Sequence, residues 1–408
     1  MIKISKSWIS ILSVIFLFDQ MLLPMFHVGG APIKISYLIL LFVFAIKTDF
    51  DKKNLVFYNS IYRSMFLFMV IVIAGLFFFN SVSVDYQYSE TIRMLLVFVM
   101  GLGSLKLGLL SSKLPSQYIT YALIGVMALI LLLVFTPQAV PFISNMWWKT
   151  SERFQEMLTQ NKLRPTPFGD GSGVRVNILF LGITLLYIHK IHDIRYKWII
   201  WISVLVINVI MGSRNQFIVF MAYSYFFWFQ HKQVKGIVTR VFLGALGMVV
   251  LAPFVFQLTS KSEVFTHTME RIGGIFNLFG SGGGDDNDTI ARPLLMFESF
   301  KDRFIESPIF GSSFEIATFS PFNYLHFHND WLLIFAVSGI LGFAVYAGVV
   351  LKIYRALGIV AIFPFFLPGL TNSFIWAFPS YLVYFFIIGY TSILKEKNKF
   401  VTNHKINS

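Results

Sequence analysis

The chain has 408 residues, of which 56% are hydrophobic and only 13% are charged. Together with a mean hydropathy of +0.70, this composition excludes a series of soluble domains and indicates a polytopic membrane protein. The sequence holds no cysteine, which excludes disulfides and thiolate metal sites. It also has no glycine-rich phosphate loop, so the use of cytoplasmic ATP is not indicated.

The apolar segments indicate helices. Runs close to the length of about 20 residues that crosses a bilayer recur from end to end. A membrane β-barrel would instead show strands of about 10 residues with alternating polarity. The sequence therefore predicts an all-α fold with about twelve transmembrane helices. The predicted spans are approximately 8–26, 33–46, 62–80, 91–110, 117–136, 173–189, 197–212, 215–230, 237–258, 329–350, 356–371 and 377–394.

These spans divide the chain into four parts. About nine membrane helices occupy residues 1–258, and a long periplasmic loop follows at 259–328. The second group of membrane helices lies at 329–394, and a basic cytoplasmic tail at 395–408 ends the chain. Apolar residues at helical spacing over 289–305 predict an amphipathic helix within the loop.

The positive charges predict the orientation in the membrane. About 20 of the 33 lysines and arginines fall on alternate connecting segments or near the ends of the adjoining spans, among them Lys106, Lys190 and Lys352. Such segments are cytoplasmic by the positive-inside rule, which places both termini in the cytoplasm. The net charge of +13 then mainly orients the protein. No basic arm or aromatic-basic platform points to nucleic acid.

Two histidines precede the tenth predicted span. His326 and His328 lie at its outer boundary, where polar side chains are candidates for function. The positive end of the helix dipole keeps the ring of His328 neutral, so this ring could accept a proton from an attacking hydroxyl. His326 and Asn329 could support it. The two histidines do not share a helix face, so a metal site is not predicted. The alternative is an interfacial histidine that only caps the helix.

Four arginines are predicted on the same side of the membrane. Arg93, Arg175, Arg214 and Arg292 could surround a polar cavity, since arginine facing lipid is costly. Planar guanidiniums suit an anionic ligand such as a pyrophosphate or the carboxylates of an acidic sugar. The alternatives are snorkelling for Arg175 and Arg214, and an ion pair with Glu90 for Arg93.

Three groups of residues resemble the O-antigen polymerase and ligase superfamily (Wzy and WaaL) of bacterial membrane glycosyltransferases. The first group resembles the family's Ser-Arg turn. The second resembles its arginine-bearing amphipathic segment with the ending "sPifGxG", and the third resembles "HNxxLxxxxxxGixG". In this chain the corresponding segments are 212–214, 292–298 with 307–311, and 328–329 with 338–342. Phe327 and the missing second glycine after Gly311 depart from the pattern.

The resemblance implies a glycosyl transfer without metal or cofactor at the periplasmic face of the bacterial inner membrane. The donor would be an oligosaccharide on undecaprenyl pyrophosphate, and the acceptor would be a sugar hydroxyl of another lipid-linked repeat unit. Arg214 and Arg292 would hold the departing pyrophosphate with help from Arg175, while His328 would activate the acceptor. Membrane lipid and a polysaccharide chain-length regulator are the other expected partners.

Two alternative functions remain open. An O-antigen ligase would use the same donor but deliver the polymer to lipid A-core. A flippase for lipid-linked oligosaccharides would line a path through both leaflets with charges and show inverted repeats. The predicted charges concentrate on one surface, which favours the enzyme.

Overall fold

A computed structural model gives the fold of most of the first third of the chain and of parts of the remainder. It describes residues 5–21, 26–28, 31–47, 50–78, 84–112, 115–135, 184, 187, 190, 199–205, 220, 224, 305, 307–311, 329–362 and 378–392.

The described residues are almost entirely helical, which confirms the predicted fold class for this part of the chain. The elements in chain order are α1 (Lys6–Met21), β1 (Phe26–Val28), β2 (Ala31–Ile33), α2 (Ile35–Ala45), α3 (Lys52–Phe78), α4 (Val84–Ser111), α5 (Ser116–Phe135), α6 (Asp330–Leu357) and α7 (Phe378–Ser392).

Among the described residues, three stretches of helix could cross a membrane by length and composition, namely Lys52–Phe77, Tyr88–Ser111 and Asp330–Leu357. This supports the predicted membrane character. The count of about twelve spans and the loop at 259–328 depend on residues that lie largely outside the described part of the chain.

Helices α4 and α7 run parallel to each other, and their backbones are in close contact. The Ser104 hydroxyl donates to the Leu382 carbonyl at 2.5 Å. A Cβ atom on Gly108 would lie 2.9 Å from the backbone nitrogen of Tyr390, and one on Gly389 would lie 2.9 Å from that of Leu109. Small residues at this crossing let the two backbones meet, as is common between membrane helices.

Aromatic rings fill the space between α3, α4, α6 and α7. The ring of Phe98 contacts those of Phe68, Tyr346 and Tyr381, with centroids 5.0, 6.1 and 5.8 Å away. All four side chains are buried. Helix α3 runs antiparallel to the later part of α6: the ammonium group of Lys352 donates to the Ser60 carbonyl at 2.9 Å, and the ring of Tyr346 contacts that of Phe68, further along α3.

Lysines at one end of the bundle bind carbonyls of neighbouring helices. Lys106 donates to Phe44 and Ile46 at the end of α2, at 3.1 and 3.0 Å. Lys190 donates to the Leu357 carbonyl at the end of α6. Cations near helix C-termini satisfy carbonyls that lack an intrahelical partner. These lysines therefore also join helices, beyond the orienting role predicted for them.

A buried polar group joins α1 to α2 at the opposite end. The ammonium of Lys34 donates to the carbonyls of Asp19 and Gln20 at 2.7 and 3.2 Å, and the Asp19 carboxylate accepts from the Ser36 backbone at 2.7 Å. The first span was predicted over 8–26. Helix α1 ends at Met21 instead, and the antiparallel strands β1 and β2 follow.

The α4–α7 crossing predicts the effect of overpacking. We expect Gly108→Leu to destabilise the protein by about 1–3 kcal/mol, because the new side chain meets the backbone of α7. Gly348→Leu is the matched control, since a Cβ atom on Gly348 meets nothing within 4 Å. Thermal unfolding in detergent measures both. Equal midpoints for the two variants would contradict the close crossing.

Candidate functional site

Two of the predicted site residues lie in the described part of the chain, Asn329 and Arg93. Five lie outside the described residues, so their predicted convergence stays a prediction: Arg175, Arg214, Arg292, His326 and His328.

Asn329 caps the beginning of α6. Its side-chain oxygen accepts hydrogen bonds from the backbone nitrogens of Trp331 and Leu332 at 2.9 and 3.0 Å. Its carbonyl accepts from the nitrogen of Leu333 at 2.9 Å. Asparagine is among the best N-caps because its short side chain reaches the unpaired amides of the first turn. The residue after His328 is thus held by three hydrogen bonds.

Helix α6 is broken at Gly339, where φ is +61°. The break divides it into a short half at 330–338 and a long half at 340–357. Ring centroids of Phe335 and Phe343 lie 4.8 Å apart, and those of Trp331 and Tyr346 lie 5.9 Å apart. In a straight helix, residues 331 and 346 would be separated by about 22 Å. The two halves therefore run antiparallel as a helical hairpin.

The hairpin places the start of α6 inside the bundle. Trp331 packs on Tyr346, whose ring lies 5.6 Å from that of Phe68. Phe68 is ten residues before the end of α3, or about 15 Å along that helix. The sequence placed Asn329 at the outer boundary of a span that crosses the membrane without a break. The structure shows that the residues after this cap fold back along the long half of α6, while the position of Asn329 relative to the membrane boundary stays a prediction.

The turn at 307–311, which we name the anchor turn, packs against the tip of this hairpin. The nitrogen of Ile340 donates to the Pro308 carbonyl at 2.9 Å, and that of Leu341 donates to the Ile309 carbonyl at 3.3 Å. These nitrogens begin the long half of α6, where amides have no carbonyl within the helix. The anchor turn therefore caps that half with its main chain.

Asp330 is a buried polar residue that the sequence analysis did not single out. Its exposed fraction is 3%, and its carboxylate lies within electrostatic reach of Tyr346 and Tyr381. A carboxylate in the first turn of a helix is stabilised by the helix dipole. The available sequence signal was an acidic residue at the start of an apolar span.

Arg93 forms an ion pair with Glu90 one turn earlier on α4. This ion pair is the alternative role that the sequence predicted for Arg93. The nitrogen and oxygen atoms lie 3.8 Å apart, with the arginine side chain 49% exposed and the glutamate side chain 10% exposed. At this distance and exposure the pair contributes little to stability. The ion pair with Glu90 favours a local structural role for Arg93 on α4.

No protein-family model matches this chain, and no curated protein matches it.

The cap at Asn329 predicts a local effect on hydrogen exchange. We expect Asn329→Ala to lose about 1 kcal/mol of helix stability, because two backbone amides lose their acceptor. Asn329→Asp keeps an oxygen in the same place and is the matched control. Hydrogen exchange at the amides of Trp331 and Leu332 measures the change. Faster exchange should occur in the alanine variant alone, and unchanged exchange there would contradict the cap.

Proposed function

We propose that the chain is a surface-polysaccharide polymerase of the bacterial inner membrane. It transfers a glycan from undecaprenyl pyrophosphate to a sugar hydroxyl of another lipid-linked repeat unit. In this proposal both termini are cytoplasmic and the reaction takes place on the periplasmic side.

The observation that carries the proposal is the contact between two segments that resemble the superfamily. Residues 307–311 resemble the end of the arginine-bearing segment, and residues 338–342 resemble the glycine-containing part of the histidine segment. They are 27 residues apart in the chain, and their backbones are hydrogen-bonded to each other. A chance likeness would not require them to meet. The contact therefore supports the interpretation that both segments belong to one site.

In the proposed reaction one histidine accepts a proton and three arginines stabilise the leaving group. His328 accepts the proton of the acceptor hydroxyl as that oxygen attacks the anomeric carbon. The bond from this carbon to the pyrophosphate breaks, and Arg214 and Arg292 stabilise the negative charge on the leaving group. Arg175 assists them.

The ligase differs from the polymerase only in its acceptor. A deletion strain separates the two functions. Lipopolysaccharide that carries a single repeat unit would support the polymerase, whereas polymer that accumulates on its lipid carrier would support the ligase. Accumulation of unpolymerised repeats on the cytoplasmic side would support a flippase instead.

The proposal predicts that His328→Ala and Arg292→Ala each abolish chain extension while the protein remains in the membrane. The exposed Arg63 on α3 offers a control, and Arg63→Ala should leave chain extension unchanged. The measurement is polymer length after incubation of the purified variants with a defined lipid-linked repeat. Near-normal polymer from both site variants would refute the proposed site.

Arg214→Lys tests how the pyrophosphate is held. Lysine keeps the positive charge but lacks the planar pair of donors that binds two phosphate oxygens together. We expect the rate of chain extension to fall about tenfold or more, since a bidentate contact is lost. The same lipid-linked repeat serves for the assay. Full activity of the lysine variant would leave charge as the sole requirement at this position.

A further inference from the structure

We infer that the anchor turn fixes the geometry of the transfer site, and that Gly311 and Gly339 are positioning residues for the reaction. The inference rests on the proposed function and deepens it. The turn joins the end of the arginine-bearing segment to the helical hairpin that begins directly after His328. Neither glycine was predicted to have this role.

The first step is the close contact of the two backbones. A Cβ atom on Gly311, where φ is +77°, would lie 2.5 Å from the nitrogen of Ser338 and from the carbonyl carbon of Val337. One on Gly339 would lie 2.5 Å from the nitrogen of Gly311. These neighbours are main-chain atoms, so they cannot move aside as a flexible side chain would. Both positions also have a backbone conformation that favours glycine.

The second step is the position of the anchor turn beside both α6 and α3. A Cβ atom on Gly75 of α3 would lie 3.5 Å from the Phe310 carbonyl and 3.8 Å from that of Val337. Helix α3 therefore passes directly beside the turn and the tip of the hairpin. Three separate parts of the chain meet at this point, and a shift of the turn would break its hydrogen bonds to α6.

The third step is the placement of two residues that flank the histidine-bearing segment. Gly311 lies at the tip of the hairpin, and Asn329 lies at the start of its short half. Nine helical residues separate these two levels, or about 14 Å. The turn and the cap are the described residues that directly precede and follow the segment 312–328.

The first experiment measures docking of the turn without using activity. Because the chain has no native cysteine, Ile305→Cys and Tyr354→Cys introduce the only two thiols. Both native residues are exposed, at 67% and 44%. Spin labels on the two introduced cysteines should give one narrow distance distribution by pulsed electron paramagnetic resonance. Adding Gly339→Ala should broaden it, and adding Gly348→Ala should not.

The second experiment tests positioning in the reaction. Pro308→Gly keeps the carbonyl that binds Ile340 but frees the backbone of the turn. We expect kcat for chain extension to fall about tenfold, because misplaced groups lose reactive geometry, while KM for the lipid-linked repeat changes little.

A cross-link then separates positioning from a loss of folded protein. Ile309→Cys and Ile340→Cys, at positions that are 53% and 48% exposed, accept a short bismaleimide across the docked turn. In the Pro308→Gly background this cross-link should restore kcat, whereas reagent on either single thiol should not. A general folding defect would not be repaired in this way.

The outcomes distinguish the inference from the proposed function. A broad distance distribution in the parent, an unchanged one in Gly339→Ala, or a cross-link that leaves kcat low would each overturn the inference. If the parent protein makes no polymer from any lipid-linked repeat, the proposed function fails. The distance distributions would then still decide whether the turn docks.

Discussion

The architecture around the candidate site depends on two main-chain hydrogen bonds, from Ile340 and Leu341 to the carbonyls of the anchor turn. An unsatisfied backbone amide in an apolar environment costs several kcal/mol. A membrane helix can therefore break only where other groups replace the lost bonds. The anchor turn supplies such groups at Gly339. The hairpin, the burial of Asp330 and the position of Asn329 all follow from this replacement.

The two ends of the bundle use charge in different ways. At one end, lysines such as Lys106 and Lys352 donate to carbonyls of adjacent helices. At the other, Lys34 in the connection between α1 and α2 is buried together with Asp19 of α1. The lysines that bind carbonyls are ones that the sequence placed on the cytoplasmic side. Their hydrogen bonds give each of them a local structural role, and the cytoplasmic assignment stays a prediction.

Hydropathy predicted the bounds of a helix well where the helix is apolar over its whole length. Helix α5 was expected at 117–136 and lies at Ser116–Phe135, and α7 was expected at 377–394 and lies at Phe378–Ser392. Helix α3 begins ten residues before the predicted span at 62–80, because its polar first turns are helical but not hydrophobic. Hydropathy measures transfer into lipid, so it does not detect a helix that extends beyond the apolar run.

The break in α6 could not be predicted in the same way. Residues 329–350 form one apolar stretch, and glycine is frequent in unbroken membrane helices. The positive φ of Gly339 depends on a partner 30 residues earlier in the chain, which hydropathy does not reveal. The resemblance singled out both segments of this contact but gave no reason for them to meet. Their glycines are explained by the approach of two backbones.

The hairpin also changes what kind of site the chain can form. The first turn of α6 packs through Trp331 on Tyr346, whose ring in turn contacts that of Phe68 on α3. Interrupted helices in membrane proteins place polar helix ends at binding sites within the bundle. The side chains of Asn329 and Asp330 provide polar groups at such an end. The Asn329 side chain already accepts hydrogen bonds from two backbone amides of the first turn. The break in α6 thus brings a polar helix end into contact with aromatic side chains of the bundle, where each polar group needs a hydrogen-bond partner from the protein.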